Sequence, residues 1–452
     1  MQKTSDVVSK SNIERIFKLS ENNTNIKTEI IAGITTFMTM AYILIVNPGI
    51  LSATGMDFGA LFTATALSSI IATLIMAFHA NLPFALAPAM GPNAFFAFTV
   101  VLTMGYSWEF ALTAVFLEGI IFLILTFFNI REAILNSIPI QLKKAVSVGI
   151  GLFIAFLGLV NSGIVISGKF INDQGQLDGL PVAIGDISSG SALLALIGLI
   201  ITGFLLSKNI KGALLIGIVI TTIIGIPIGE TVVPEGFKIF STPPSLSPIL
   251  FKFEWNNIFS VDMIIVLFTF LFVDLFDTVG TLVGVATKAD MLDEKGNVPN
   301  AKQALLADAI GTTVGAMFGT STVSTFVESA AGVADGGRTG LTALSTAIMF
   351  VIALFLSPLF IMIPSAATAP ALMLVGLFMI SPVKEIDFDD LTEAIPAFLT
   401  IIMMPLTYSI SEGIVFGILS YVILKLLNGK QKQIAPLLYL ISLLFIIKII
   451  LG

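Results

Sequence analysis

Inside apolar runs of this chain stand one amide and five acids whose types and spacing could do chemistry. They are Asn93, Glu118, Asp274, Asp277, Asp308 and Glu328. A charged group at membrane depth is costly, so each acid needs a partner or a task. By the same reading no Lys or Arg sits at comparable depth. Low dielectric penalises the charged form of a carboxyl, so such groups exchange protons, which suits proton coupling. Asp274 and Asp277 are one turn apart on a helix, on roughly one face. An amide and two carboxylates offer donors and acceptors along one edge, the logic by which Asn reads adenine in DNA. From residues alone, the ligand is a small neutral polar molecule that donates N–H groups. Glu118, alone in its run, reads as a structural hydrogen-bonder, and His79 as interfacial. Phe95 and Phe96 matter because they follow Asn93. Thr35, Thr36 and Thr39 either line a cavity or bond to their own helix carbonyls.

Composition removes other chemistries. The 452 residues include no cysteine, which excludes a disulfide framework, a thiolate nucleophile and Cys-ligated zinc or iron–sulfur sites. One histidine excludes His-rich metal centres, and it lies far in sequence from the acids. With no HExxH either, neither a metalloprotease nor a Ser–His site can be built, so the chain reads as no enzyme, with no metal and no cofactor. Apolar residues make up 56% and charged residues 11%, against roughly 25% charged in soluble domains. At a mean hydropathy of +1.01 no polar coat covers such a core. A net charge of −7 without basic patches argues against nucleic acid as a partner. The partner is the lipid bilayer.

The elements that must position these residues are membrane spans. Apolar runs parted by Gly, Pro, Asn and charge predict spans near 28–46, 60–79, 83–102, 108–128, 145–160, 191–206 and 212–228. A second series follows near 263–286, 301–318, 320–334, 340–357, 366–381, 392–408 and 412–427. Residues 435–451 are either an interfacial or a spanning element. Residues 1–25 are polar with no apolar core before Thr28, unlike a cleaved signal. Residues 11–19 form either a short interfacial helix or a tail. With the N-terminus in the cytoplasm, cytoplasmic segments collect eighteen of the 22 Lys and Arg, and outer loops only Lys169, Lys238 and Lys252.

Two sets of seven spans suggest duplication. IPIQLKKAVSVGIGLF from Ile138 parallels IPSAATAPALMLVGLF from Ile363, and Ala77–Gly91 parallels Ala316–Gly332. Seven is odd, so the second copy lies inverted, the architecture of secondary transporters. The predicted fold is thus an all-α polytopic membrane protein of about fourteen spans in two inverted seven-span repeats. The third span of each repeat, spans three and ten, is the least helix-like. Pro83, Pro88, Gly91 and Pro92 interrupt one, and Ser321–Val327 of the other is rich in β-branched residues. Each predicts a short strand plus a half-helix, starting near Asn93 and Glu328. Irregular backbone at such depth is tolerated where protein or a cavity satisfies it, so the two breaks mark the site.

These residues carry a resemblance. TEIIAGITTFMTMAYILIVNP (28–48), LAPAMGPNAFFAF (86–98), DLFDTVGTLVGVA (274–286) and ESAAGVADGGRTGLTA (328–343) resemble the azaguanine-like branch of the nucleobase–cation symporters. These are the adenine/guanine/hypoxanthine permeases. The resemblance implies proton-coupled import of a purine nucleobase through the cell membrane by an elevator movement. It implies a cytoplasmic segment 1–27 and a core domain from 28–128 and 261–357. A gate domain from 129–260 and 358–430 follows, often at a homodimer interface, then an apolar segment 431–452. It places base binding on Asn93, Asp277 and Glu328, and proton coupling or support on Asp308, Asp274 and Thr281. The family more often has Gly-Met-Gly-Leu-Asn where this chain has Ala89-Met90-Gly91-Pro92-Asn93. Asp277 is one methylene shorter than the glutamate of uracil and xanthine carriers.

Overall fold

The computed structural model describes residues 12–128, 139–171, 177–234, 236–288, 291 and 298–451. Four of the eighteen cations counted on cytoplasmic segments, Lys3, Lys10, Arg131 and Lys295, lie outside the described residues.

Helices begin where short polar side chains can hold the free N–H groups of a first turn. After α1 (Asn12–Phe17), Asn25 caps α2 (Ile26–Met40), and α3 (Ile43–Ser52) follows a break at Ala41–Tyr42. Asp57 caps α4 (Phe58–Ile75), which ends in a π turn, Met76–Ala80. Strand β1 (Leu86–Pro88) leads into α5 (Met90–Ala94) and a π-helical continuation, Phe95–Thr103. Ser107 caps α6 (Trp108–Phe127). Then come α7 (Ile140–Asn161), strands β2 (Val165–Ile171) and β3 (Leu177–Ile184), α8 (Gly190–Ser207) and α9 (Ala213–Ile228). The second half holds α10 (Val261–Lys288), α11 (Ala301–Phe318), β4 (Val323–Thr325), α12 (Ser329–Ala334) and α13 (Gly340–Phe355). It ends with α14 (Ser357–Ile361), α15 (Ser365–Met379), α16 (Leu391–Leu406), α17 (Ile410–Leu427) and α18 (Pro436–Leu451).

Among the described residues, seven helical stretches are long and apolar enough to cross a membrane, by length and composition. They are Ile26–Ser52, Phe58–Ala80, Trp108–Phe127, Ile140–Asn161, Gly190–Ser207, Ser365–Glu385 and Ile410–Leu427. Shorter apolar helices include Met90–Thr103, Ala213–Ile228, Gly340–Phe355 and Leu391–Leu406. Two packing neighbourhoods emerge. Helices α2, α4, α6, α11, α12 and α13 pack on one another around the β1–β4 ribbon, with α10 against α6. Helices α7, α8, α9, α15, α16 and α17 form the other group.

Two segments differ from the sequence reading. The first span was bounded at Val46 by Asn47-Pro48, yet helix runs to Ser52 with Pro48 inside it. Buried Asn47 steadies that stretch, donating to Thr65 Oγ1 (2.7 Å) and Thr320 Oγ1 (2.9 Å). Residues 161–190, read as loop, contain the β2–β3 hairpin. Within residues 11–19, Asn12–Phe17 is helical. Phe17 and Leu19 are buried with Leu341, and Asn81 Nδ2 donates to the Phe17 carbonyl. The last apolar stretch is helix α18, packed on α17 with Phe445 beside Phe268.

Candidate functional site

Two three-residue strands from distant parts of the chain make the floor of the site. β1 and β4 pair antiparallel in the register Leu86↔Thr325, Ala87↔Ser324 and Pro88↔Val323. The ladder continues through Ala89 N–H to the Thr322 carbonyl and Phe326 N–H to the Ala85 carbonyl, both 2.9 Å. So short a ribbon has bare edges, which an apolar interior does not tolerate. Threonines cover them. Thr73 on α4 accepts from Leu86 N–H (3.0 Å) and donates to the Leu86 carbonyl (3.2 Å). Thr312 on α11 does the same to Val323, at 3.1 and 3.0 Å. Gly311 lets α11 approach, since a Cβ there would lie 3.0 Å from a Val323 methyl.

Each strand runs into a half-helix. Glu328 is the residue ahead of α12, as the sequence implies, and it caps nothing with its side chain. The other junction is corrected. Helix α5 starts at Met90, so Ala89, not Asn93, occupies the position matching Glu328. The first N–H groups of a helix have no intrahelical partner, so Pro92 fits the opening turn instead of delaying it. Asn93 therefore lies one turn in, and its N–H donates to the Ala89 carbonyl at 3.0 Å.

The acids separate by exposure. Glu118, Asp274 and Asp308 are fully buried, whereas Asp277 and Glu328 keep part of their surface open. Asp277 Oδ2 accepts from Ser324 Oγ on β4 at 2.8 Å. Glu328 Oε1 accepts from Tyr42 Oη at 2.6 Å, across from the break between α2 and α3. Glu118 Oε2 accepts from Thr322 Oγ1 at 2.6 Å, beside the start of β4. Thr278 Oγ1 lies 3.0 Å from both Asp274 Oδ1 and Asp308 Oδ1. Although Asp274 and Asp277 are a turn apart, their side chains thus serve different neighbours. Asn93 is fully buried; its Oδ1 accepts from Ser321 Oγ, and its Nδ2 has no partner among the described residues.

Thr281 spends its hydroxyl on the carbonyls of Asp277 (2.7 Å) and Thr278 (3.0 Å). Thr39 likewise bonds to Thr35 and Thr36 carbonyls, while Thr35 donates to Asp335 Oδ2 at 2.7 Å. Thr36 packs where Gly332 of α12 meets α2. Phe95 stacks edge-on with Phe270 and Phe96 is buried. His79 is exposed.

Sequence reasoning missed four residues here: Tyr42, Ser324, Thr278 and Glu29. Tyr42 sits inside a conspicuous motif, but nothing local says that its hydroxyl reaches Glu328, 286 positions away. Glu29 lies near the start of α2, outside the acids assigned to membrane depth, and is fully buried. Its carboxylate accepts from the N–H groups of Arg338, Thr339 and Thr342 and from the hydroxyls of both threonines, at 2.7–3.2 Å. It thus anchors the N-terminus of α13, where the helix dipole favours an anion.

A family model described as "Permease family" matches residues 27–416. The adenine permease AdeP of Escherichia coli is 43% identical, over 99% of this chain and 98% of that one. The guanine/hypoxanthine permease PbuG of Bacillus subtilis is 45% identical, over 96% and 99%. Among solved structures, the transmembrane domain of a cyanobacterium bicarbonate transporter, BicA, superposes with a TM-score of 0.63. At 18% identity it covers 86% of this chain and 97% of that one, a likeness of fold alone. With its mostly helical, multi-pass membrane fold, the chain belongs to the Permease family, and it is a transporter and not an enzyme.

Proposed function

We propose that this protein imports a purine nucleobase, adenine, guanine or hypoxanthine, across the cell membrane by proton symport, with its N-terminus in the cytoplasm. The observation that carries the reading is the pairing of β1 with β4. It brings the starts of two half-helices to opposite ends of one ribbon and leaves Asp277 and Glu328, alone of the five acids, partly open. A purine offers these carboxylates an edge of N–H donors, and the unpartnered Nδ2 of Asn93 supplies one donor for a ring nitrogen or oxygen. Purine specificity is further supported by the names of the relatives.

The fourteen-span inverted repeat belongs to the same proposal. Its support is the shared device of Thr73 and Thr312, each clasping the first residue of its strand from the preceding helix. The two packing neighbourhoods support a core of residues 28–128 and 261–357 that moves past a gate of 129–260 and 358–430. The gate would also carry any homodimer interface. An anion would meet two carboxylates at this site, so likeness in fold to a bicarbonate transporter does not extend to cargo.

The test is uptake of radiolabelled adenine, hypoxanthine, guanine and uracil into cells without base carriers of their own, with and without a proton uncoupler. Uptake of a purine but not uracil, lost with uncoupler, is the expected result. Purine uptake indifferent to uncoupler would remove the proton motor, and no uptake of any base would remove the substrate class.

A further inference from the structure

Thr278 stands between two buried carboxyl groups, 3.0 Å from Asp274 Oδ1 and 3.0 Å from Asp308 Oδ1. A hydroxyl carries one hydrogen and two lone pairs, so it donates one hydrogen bond only. If both carboxyls were ionised, one of these contacts would set lone pairs against lone pairs. Both contacts become hydrogen bonds when one carboxyl is protonated and donates to the threonine oxygen while the threonine donates to the other. The arrangement therefore contains a place for one proton in a shared chain of three oxygens, and all three side chains are buried.

We propose that Asp274, Thr278 and Asp308 form a proton-holding site distinct from the carboxylates that face the base. Its role in coupling rests on the purine-symport reading; the held proton itself does not. Thr278 links α10 to α11, and α10 also carries Asp277, which bonds to Ser324 of β4. Loss or gain of the proton changes the direction of the Thr278 hydroxyl and hence the hold of α10 on α11, one residue from Asp277.

Other titratable groups on the elements packed here are known. Asp262, Asp277 and Lys288 lie on α10, Lys302 on α11, Glu109 and Glu118 on α6, Lys143 and Lys144 on α7, Glu328 ahead of α12, and His79 on the π turn after α4. Of these, His79 is exposed, Lys302 reaches the Phe127 carbonyl and Lys144 pairs with Glu385.

Infrared spectra of the purified protein at neutral pH, with no base present, test the proton directly. A protonated-carboxyl C=O component is expected; it persists in Thr278→Ser, shifts in Thr278→Val and disappears in Asp308→Asn. Spectra of the Thr278→Val and wild-type proteins that superimpose would overturn the site. In vesicles, Thr278→Val should lower proton-driven accumulation about thirtyfold, the scale of one hydrogen bond to a charged group, and lower base exchange much less. Equal loss of both would make the hydroxyl merely structural and overturn its coupling role. Failure of the purine reading would show separately, as absence of wild-type uptake.

Discussion

Asp277 and Glu328, the two partly open acids, are held by different hydroxyls, and that difference makes their proposed roles separable. Asp277→Asn and Glu328→Gln keep size and shape but lose the charge, so both should abolish uptake in whole cells while membrane insertion, followed by immunoblot, is unchanged. Normal transport by both would undo the site. Tyr42→Phe keeps the buried ring and removes only the hydroxyl that holds Glu328. A hydrogen bond to a charged group contributes about 2 kcal/mol, so apparent affinity for the base should fall roughly thirtyfold. If Tyr42 served packing alone, Phe would behave as wild type. The acids were legible in the sequence because a carboxylate in an apolar run stands out. Their hydroxyl partners were not, because threonine, serine and tyrosine are unremarkable in such runs and distance along the chain conceals contact.

At the level of elements, the two broken spans were legible from proline and glycine spacing on one side and β-branched residues on the other. The half-helix start was misplaced at Asn93 because proline was read as a barrier, whereas in an opening turn it deletes no bond. The joint between α2 and α13 was invisible. There Glu29 gathers five donors from residues 338–342. Glu29→Ala would strand those donors in a buried place, a cost of at least about 3 kcal/mol. The apparent melting temperature in detergent should drop, and drop less for Glu29→Gln, which retains an acceptor. Equal melting of all three proteins would show that the joint adds nothing.

Across the whole molecule, an ion pair among the described residues joins the two packing neighbourhoods at the end read as cytoplasmic. Lys211, in the turn between α8 and α9, pairs with Asp335 at the end of α12, which also accepts from Thr35. Partial burial pushes the Asp335 carboxyl up, but Lys211 and Thr35 outweigh it and hold it below the usual carboxylate value. The charged form is thus favoured in the folded protein. Its stabilisation is present above the ordinary carboxylate range and is lost only as pH falls through the lower folded value. Between pH 6 and 8, roughly two units or more above the ordinary Asp value of about 3.9, the pair should not change. An elevator movement must break it. The natural chain has no cysteine, so Lys211→Cys with Asp335→Cys gives a clean test. Joining the two thiols with a disulfide-containing bis-maleimide, which spans the reach of the lost lysine, should stop uptake, and a reductant that cleaves the linker should restore it; transport through the intact cross-link would rule out relative movement at this contact.

The sequence by itself determined that this chain is a multi-pass membrane protein, where most of its helices begin and end within a few residues, and that five acids fall inside its apolar runs. Those features follow from composition, apolar run length and capping residues, all local properties. Tertiary structure decided which acids stay open and which are sealed, that Asn93 turns inward to Ser321, and that Thr278 lies between two carboxyls. Each depends on two strands from opposite halves of the chain meeting edge to edge, and no local preference in a three-residue strand encodes its partner.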